Sequence, residues 1–174
     1  MVRSVVFLLV FLFCSLLGRT QTGNPETISP NPPDSTVVVK NDPKVDALIS
    51  FAKTFLGVPY RYGGSTPSGF DCSGFINFIF GNFGFSLVRS SYQLAELGET
   101  VPISQIQPGD LMFFKGSNVN SSTVGHVGMV IEVKADELNF IHSANGGVQI
   151  TNFKTSKYYI ARYVKTKRLD YGGR

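Results

Sequence analysis

The sequence is short of cysteine and histidine. Its 174 residues include two cysteines, Cys14 and Cys72, and two histidines, His126 and His142. Cys14 falls in an N-terminal apolar segment, so Cys72 is the only cysteine of the remaining chain, which excludes an intrachain disulfide framework. The spacings of 54 and 16 residues that separate Cys72, His126 and His142 match no compact zinc site. We therefore predict a protein without a metal or another cofactor.

Charge is also sparse and nearly balanced. Charged residues make up 16% of the chain and its net charge is +4, of which Arg3 and Arg19 in the N-terminal segment contribute two units. The remaining charge is too small to indicate a nucleic-acid partner. The glycine-rich stretch at 63–69 lacks the lysine and the spacing of a phosphate-binding loop, which disfavours nucleotide binding. A hydrophobic content of 43% instead predicts one folded domain with its own core.

The N-terminus carries the longest apolar run. Arg3 precedes an apolar stretch of 13 residues at 5–17, which is shorter than the roughly 20 residues of a membrane-spanning helix. A positive start followed by such a run is typical of a secretory signal. We predict a signal peptide at 1–20 and export to the periplasm, the cell envelope or the outside. A retained membrane anchor, or lipidation at Cys14, remains the alternative.

Composition divides the rest of the chain into three parts. Residues 21–41 are rich in Pro, Asn, Ser and Thr, which predicts an extended linker. Residues 42–165 have the periodic hydrophobic pattern of a folded domain. The last part, residues 166–174, is predicted to be a solvated basic tail.

Within the domain, helical periodicity comes first and strand-like periodicity second. We predict a helix that starts at Asp42-Pro43 and ends near Gly57, a helix from Cys72 capped by Asp71, and a short helix from Ser90 or Ser91 to Leu97. Five strands are predicted at 111–114, 127–133, 138–144, 148–152 and 158–164. This order predicts an α+β domain, in which the almost wholly apolar second helix packs against an antiparallel sheet.

Cys72 at the start of a helix is a candidate nucleophile. The free N–H groups and the positive end of the helix dipole favour a thiolate and can hold an oxyanion. His126 begins one predicted strand and His142 lies on the next, so His126 could act as a base that His142 orients. We expect Gly128, on the same strand face as His126, to let the buried helix approach. A buried inert cysteine with two structural histidines remains the alternative.

Five segments together resemble a known family. In chain order they are PYRYGGSTPSGFDCSGF, RSSYQ, QPGDLMFF, GHVGMVI and FIHSA. In this order, over about residues 45–164, they resemble the NlpC family of papain-like cell-wall cysteine peptidases. The resemblance implies a papain-like fold and hydrolysis of peptidoglycan stem peptides. The bond it implies joins the side-chain carboxyl of D-glutamate to diaminopimelate or lysine. The alternatives are a muramoyl-alanine amidase, an acyltransferase and a wall-binding module without turnover.

The same resemblance implies roles for individual residues. It implies that Cys72 is the nucleophile and that His126 is the general base. It also implies that His142 orients the base and that Tyr60 donates a hydrogen bond to the oxyanion. Asp71 and Ser73 match residues that contact the stem peptide, although helix capping would also explain them. Arg89 matches a recurring arginine and joins them as a substrate-binding candidate. The partner is then peptidoglycan, and we expect a monomer without a membrane span after processing.

Overall fold

The fold is given by a computed structural model that describes residues 42–171. The predicted signal peptide at 1–20, the predicted linker at 21–41 and residues 172–174 of the predicted tail lie outside the described residues. The helices are α1 (Pro43–Lys53), α2 (Cys72–Gly81), α3 (Ser91–Leu94) and α4 (Lys157–Ile160), with a 3-10 turn at Ile103–Gln105. The strands are β1 (Ser65–Thr66), β2 (Gly69–Phe70), β3 (Glu99–Val101), β4 (Leu111–Lys115), β5 (Val124–Val133), β6 (Leu138–Ala144), β7 (Gly147–Asn152) and β8 (Tyr163–Arg168).

The two long helices begin where the sequence predicts. The Asp42 carboxylate accepts the N–H of Lys44 at 2.8 Å, and Pro43 occupies the first turn, where its missing N–H costs nothing. The Asp71 carboxylate likewise accepts the N–H of Gly74 at 2.6 Å and caps α2. Both helices therefore have a side chain that satisfies one of the otherwise unpaired N–H groups of the first turn.

The sheet separates two apolar clusters. Six antiparallel strands lie in the order β3-β8-β4-β5-β6-β7, and β1 and β2 form a separate hairpin. One face packs against α1 and α2, with Phe75 and Ile79 of α2 fully buried against Val127 and Met129 of β5. The opposite face carries a second cluster around Phe114, which includes the even-numbered residues Met112, Val130, Leu138 and Phe140 of β4, β5 and β6. The predicted α+β class, with the second helix on an antiparallel sheet, is confirmed.

The C-terminal part differs from the prediction. The predicted strand at 158–164 is a helical turn, α4, followed by β8, which continues to Arg168. The Ser156 hydroxyl accepts the N–H of Tyr159 and caps α4, so the strand-favouring residues at 158–160 form a helical turn. Residues 166–168 are consequently part of the sheet and not of a solvated tail, and Thr166 is fully buried.

Other differences concern short elements. The third helix ends at Leu94, three residues before the predicted Leu97. The sequence analysis missed β1, β2 and β3, which are two or three residues long and exist through their partner strands. In the part of the chain covered by the structure, no helix has the length and apolarity needed to cross a membrane.

We expect Arg168 to be a major stabilising residue of the domain. Its Nε and Nη2 atoms donate to the two carboxylate oxygens of Asp110 at 2.7 and 2.8 Å, and Asp110 is only 1% exposed. Replacing Arg168 with Met leaves this buried carboxylate without its charged partner, which should lower the free energy of unfolding by about 3 kcal/mol. Urea denaturation followed by circular dichroism measures the change.

The matched control is Lys165→Met on the same strand. The Lys165 ammonium pairs with Glu96, whose side chain is 74% exposed, so its removal should leave the unfolding midpoint unchanged. Equal effects of the two substitutions would contradict the structural role of Arg168.

Candidate active site

The first turn of α2 is fixed by a cluster of polar side chains around Asp71. Arg89 donates from Nη1 to Asp71 Oδ1 at 3.0 Å and from Nη2 to Asp71 Oδ2 at 2.7 Å. It also reaches the Ser73 hydroxyl at 2.7 Å and the Gly64 carbonyl at 3.3 Å. Burial alone would raise the pKa of Asp71, but the bonds from Arg89 and from the N–H of Gly74 lower it. Asp71 therefore stays ionised and holds its neighbours at the start of the helix.

Cys72 follows Asp71 as a buried free thiol with 9% of its surface exposed. The backbone N–H of Val127 on β5 is one of the groups that act on its sulfur. Burial and the negative charge of Asp71 raise the pKa of the thiol, while the N–H groups of Val127, Ser73 and Cys72 itself oppose the rise. The thiolate expected from the helix terminus is thus outweighed by desolvation, and the resting side chain is a neutral thiol.

The N–H of Val127 reaches Cys72 because β5 and β6 separate near this point. Their ladder runs from Val133, opposite Leu138, to Met129, opposite Ile141, and the earlier residues of β5 have no partner on β6. His126 and Val127 belong to this unpaired stretch. The sulfur thus lies beside the strand residue that follows His126, although no hydrogen bond joins the thiol to the His126 ring within residues 42–171. Such bonds are often long before substrate binds.

The two histidines are in direct contact. His126 Nε2 and His142 Nδ1 are 3.1 Å apart, and the two rings are nearly perpendicular. His142 is fully buried, stacks on Phe140 and bonds through Nε2 to the Thr151 hydroxyl at 3.0 Å. The Tyr159 hydroxyl approaches His142 Nδ1 at 3.4 Å. The surrounding groups therefore hold the His142 ring in one orientation.

One arrangement of the protons satisfies both contacts of His142 and leaves a basic nitrogen on His126. If His126 donates from Nε2, His142 accepts at Nδ1 and its own proton sits on Nε2, where the Thr151 oxygen accepts it. His126 Nδ1 is then the nitrogen with a free lone pair. This tautomer gives His126 one basic nitrogen that His142 does not occupy.

Both imidazoles are held in the neutral form. Burial lowers the pKa of His126 from 6.5 to about 4. Burial, together with the charge of His126, lowers the pKa of His142 to about 3. A neutral His126 can accept a proton, and a neutral His142 can accept the hydrogen bond from His126.

Tyr60 stands between two cavities. It forms an isolated bridge with Phe70, two residues before Cys72, and burial together with the charges of Cys72 and Asp71 raises the pKa of its phenol. One cavity, of about 410 Å³, contains Cys72, Asp71, Ser73 and Arg89. The other, of about 450 Å³, contains His126 and Tyr159. Tyr60 lines both cavities and offers them a protonated hydroxyl.

Gly128 has a different role from the one predicted. A Cβ atom there would meet Phe140 Cδ2 at 2.6 Å and His142 Cβ at 3.0 Å. Gly128 therefore faces β6, on the side of the sheet away from α2. Its lack of a side chain makes room for Phe140 and His142, and not for the helix that carries Cys72.

The structure brings the predicted residues into two adjoining groups. Asp71, Ser73 and Arg89 are bonded to one another, and His126 is bonded to His142. Sequence reasoning missed three residues that fix these groups, namely Thr151, Tyr159 and Ser143. The Ser143 hydroxyl donates to the Phe70 carbonyl at 2.8 Å and so ties β6 to the strand before Cys72. The polar alternation of β6 and β7 is the only sequence signal that could have indicated Ser143 and Thr151.

Comparisons with known proteins identify relatives of this arrangement. The profile of the NlpC/P60 family matches residues 57–168, a range that contains the predicted site residues from Tyr60 to His142. The chain is 37% identical over 114 residues to the murein DD-endopeptidase MepS/murein LD-carboxypeptidase of Escherichia coli K12. It is also 37% identical over 128 residues to the gamma-D-glutamyl-L-lysine dipeptidyl-peptidase of Bacillus cereus.

The chain matches only part of the length of each of these relatives. The alignments cover 65% and 72% of this chain, but only 56% and 37% of the Escherichia coli and Bacillus cereus proteins. The crystal structure of an NlpC/P60 family protein from Bacillus cereus superimposes with a TM-score of 0.64 at 35% sequence identity. It covers 74% of this chain, which in turn covers 41% of that protein.

We expect both histidines to stay neutral through the range in which histidine ordinarily titrates. The chain has only these two, so the ring signals in an NMR titration can be assigned with one variant. No signal should shift around pH 6.5, and His126 should titrate near pH 4. A ring that titrates near pH 6.5 would contradict a neutral pair.

The same depressed pKa values imply a loss of stability in acid. The unfolded chain binds protons at its histidines below about pH 6.5, whereas His126 of the folded chain binds a proton only near pH 4. The contribution of the neutral histidines to the free energy of unfolding is therefore complete above about pH 6.5 and is lost progressively as the pH falls towards 4. Urea midpoints measured across this interval should decrease with pH.

Proposed function

The chain belongs to the NlpC/P60 family, and from this membership and its site geometry we propose that it is a cysteine peptidase acting on peptidoglycan. The bond we propose is the one between the side-chain carboxyl of D-glutamate and diaminopimelate or lysine. The names of the two relatives, one a murein endopeptidase and one a gamma-D-glutamyl peptidase, support this choice. We further propose that the protein is exported, since its substrate lies outside the cytoplasmic membrane.

The observation that supports the proposal is the contact between His126 Nε2 and His142 Nδ1. With the proton of His126 on Nε2, His142 accepts it and His126 Nδ1 is the basic nitrogen. The backbone N–H of Val127, the residue after His126, is among the groups that lower the pKa of the Cys72 thiol. A nucleophile, a base and a group that orients the base are the parts that covalent acyl transfer needs.

The first half of the proposed reaction forms a thioester. His126 Nδ1 takes the proton of Cys72, and the sulfur attacks the carbonyl carbon of the amide. The oxyanion is held by the N–H of Cys72 and the hydroxyl of Tyr60, a kind of donor whose loss typically costs about a hundredfold in rate. The imidazolium of His126 then protonates the leaving amine, and the carbon–nitrogen bond breaks.

The second half releases the acyl group. A water molecule gives a proton to His126 Nδ1 and attacks the thioester carbonyl. The carbon–sulfur bond breaks, and the sulfur recovers its proton from His126. Throughout both halves, the neutral His142 accepts the N–H of His126 Nε2 and keeps Nδ1 directed to the reacting groups.

Replacing Cys72 with Ala should abolish the cleavage of purified muropeptides. The side chain is small and the substitution leaves little space, so the urea midpoint should hardly change. A Ser50→Ala variant on α1, outside both cavities, serves as the matched control. Product masses from the wild-type digest identify the bond. Cleavage by the alanine variant, or release of the peptide from muramic acid, would contradict the proposal.

Thr151→Val tests whether His142 orients the base. The substitution keeps the shape and removes the hydroxyl that bonds to His142 Nε2 at 3.0 Å. We expect about a tenfold lower kcat with an unchanged KM, because the proton arrangement is disturbed while the cavities are intact. Thr151→Ser should restore kcat. A change in KM alone, or no recovery with serine, would contradict this role.

A further inference from the structure

The two cavities take opposite halves of the substrate. On the proposed mechanism, His126 hands its proton to the leaving amine, so that amine must lie on the histidine side of the scissile bond. The cavity lined by His126 therefore receives the leaving residue, and the cavity lined by Cys72, Asp71 and Arg89 receives the acyl part. Tyr60, which lines both, marks the boundary between them.

The leaving-residue cavity has a positive wall. Lys115, at the end of β4, lines it, and no Asp or Glu is found among the described residues that line it. The Lys115 ammonium donates one hydrogen bond to the Val119 carbonyl at 2.9 Å and forms no ion pair within residues 42–171. An ammonium has three N–H groups, so two remain for a ligand.

A second cation, Arg162, contacts residues that line the same cavity. The guanidinium of Arg162 stacks on Tyr158 at 3.7 Å from the ring centroid and reaches the Ser117 carbonyl at 3.5 Å. Tyr158 and Ser117 both line the leaving-residue cavity. The buried Arg162 Nε has no hydrogen-bond partner in the described chain, and no carboxylate pairs with the guanidinium there. Its charge adds to that of Lys115 at the cavity surface.

We propose that Lys115 binds a free carboxylate of the leaving residue, so that the protein prefers diaminopimelate to lysine at this position. The proposal rests on the proposed function and refines it. The side chain of diaminopimelate ends in a carbon that carries both an ammonium and a carboxylate. The side chain of lysine ends in an ammonium alone, which Lys115 and Arg162 would repel.

The wild-type protein alone gives the first test. Four synthetic peptides, L-Ala-γ-D-Glu-X, carry meso-diaminopimelate or L-lysine as X, each with a free or an amidated C-terminus. We expect kcat/KM to be about tenfold higher for diaminopimelate in both C-terminal forms, as for a charge-assisted hydrogen bond. The Bacillus cereus relative is named for a lysine bond, which makes the lysine peptide the stringent comparison.

Variants of Lys115 test whether this residue causes the preference for diaminopimelate over lysine. Lys115→Met should lower kcat/KM for the diaminopimelate peptides about tenfold and change that for the lysine peptides less than about twofold. Lys115→Arg keeps the charge and should keep the preference. Lys53→Met, which removes an exposed lysine of α1, is the matched control and should leave all four values unchanged. Urea midpoints verify that each variant is folded.

The remaining outcomes distinguish a failure of the proposed diaminopimelate preference from a failure of the proposed peptidase function. Equal cleavage of the diaminopimelate and lysine peptides would overturn the inference and leave the peptidase intact. A preference that follows the free C-terminus and ignores the side chain would assign Lys115 to the α-carboxylate and overturn the choice of diaminopimelate. Failure of the wild-type protein to cleave any of the four peptides, or other stem peptides, would overturn the proposed function itself.

Discussion

The site is organised by the carboxylate of Asp71. This one group caps α2 through Gly74, accepts both amino groups of Arg89 and contacts Ser73, so the helix that begins with Cys72 cannot rotate independently of its surroundings. Arg89 extends the same contacts to the carbonyl of Gly64, in the loop that follows Tyr60. Ionised carboxylates at helix starts are common, but here the carboxylate also joins two loops to the helix. The start of α2, with Cys72, and the loop that carries Gly64 are thereby fixed to each other.

The sheet sets the relation between the sulfur and the imidazoles. Cys72 approaches from the face that packs against α1 and α2, whereas His142 belongs to the opposite face with Phe140. Between them, the β5–β6 ladder ends at Met129 and Ile141, so His126 and Val127 belong to a part of β5 that has no partner on β6. Desolvation raises the pKa of the thiol and lowers that of the His126 imidazole, so both groups are uncharged near neutral pH.

Much of the fold could be predicted because its long elements carry local signals. The caps at Asp42 and Asp71 fix two helix starts, and the alternating pattern fixes β6 at both ends. The helical turn at 157–160 lies where the sequence predicts a strand, because Tyr158, Tyr159 and Ile160 favour strands while Ser156 caps a helix before them. The contact between the histidines could be predicted because His126 and His142 lie on neighbouring predicted strands, and the family resemblance implies the same pair. The contact of Thr151 with His142 could not be predicted, because it depends on the register of β7 against β6.

The position of β8 has a consequence for biosynthesis. This last strand lies between β3 and β4, and β3 joins the six-stranded sheet only through it. Because β3 and β4 both precede β8 in the chain, each lacks this shared neighbour until β8 has been synthesised and has paired. Completion of the sheet therefore depends on long-range pairing, which is slow compared with helix formation. Until that pairing forms, β4 exposes one row of unpaired N–H and C=O groups, as an edge strand does.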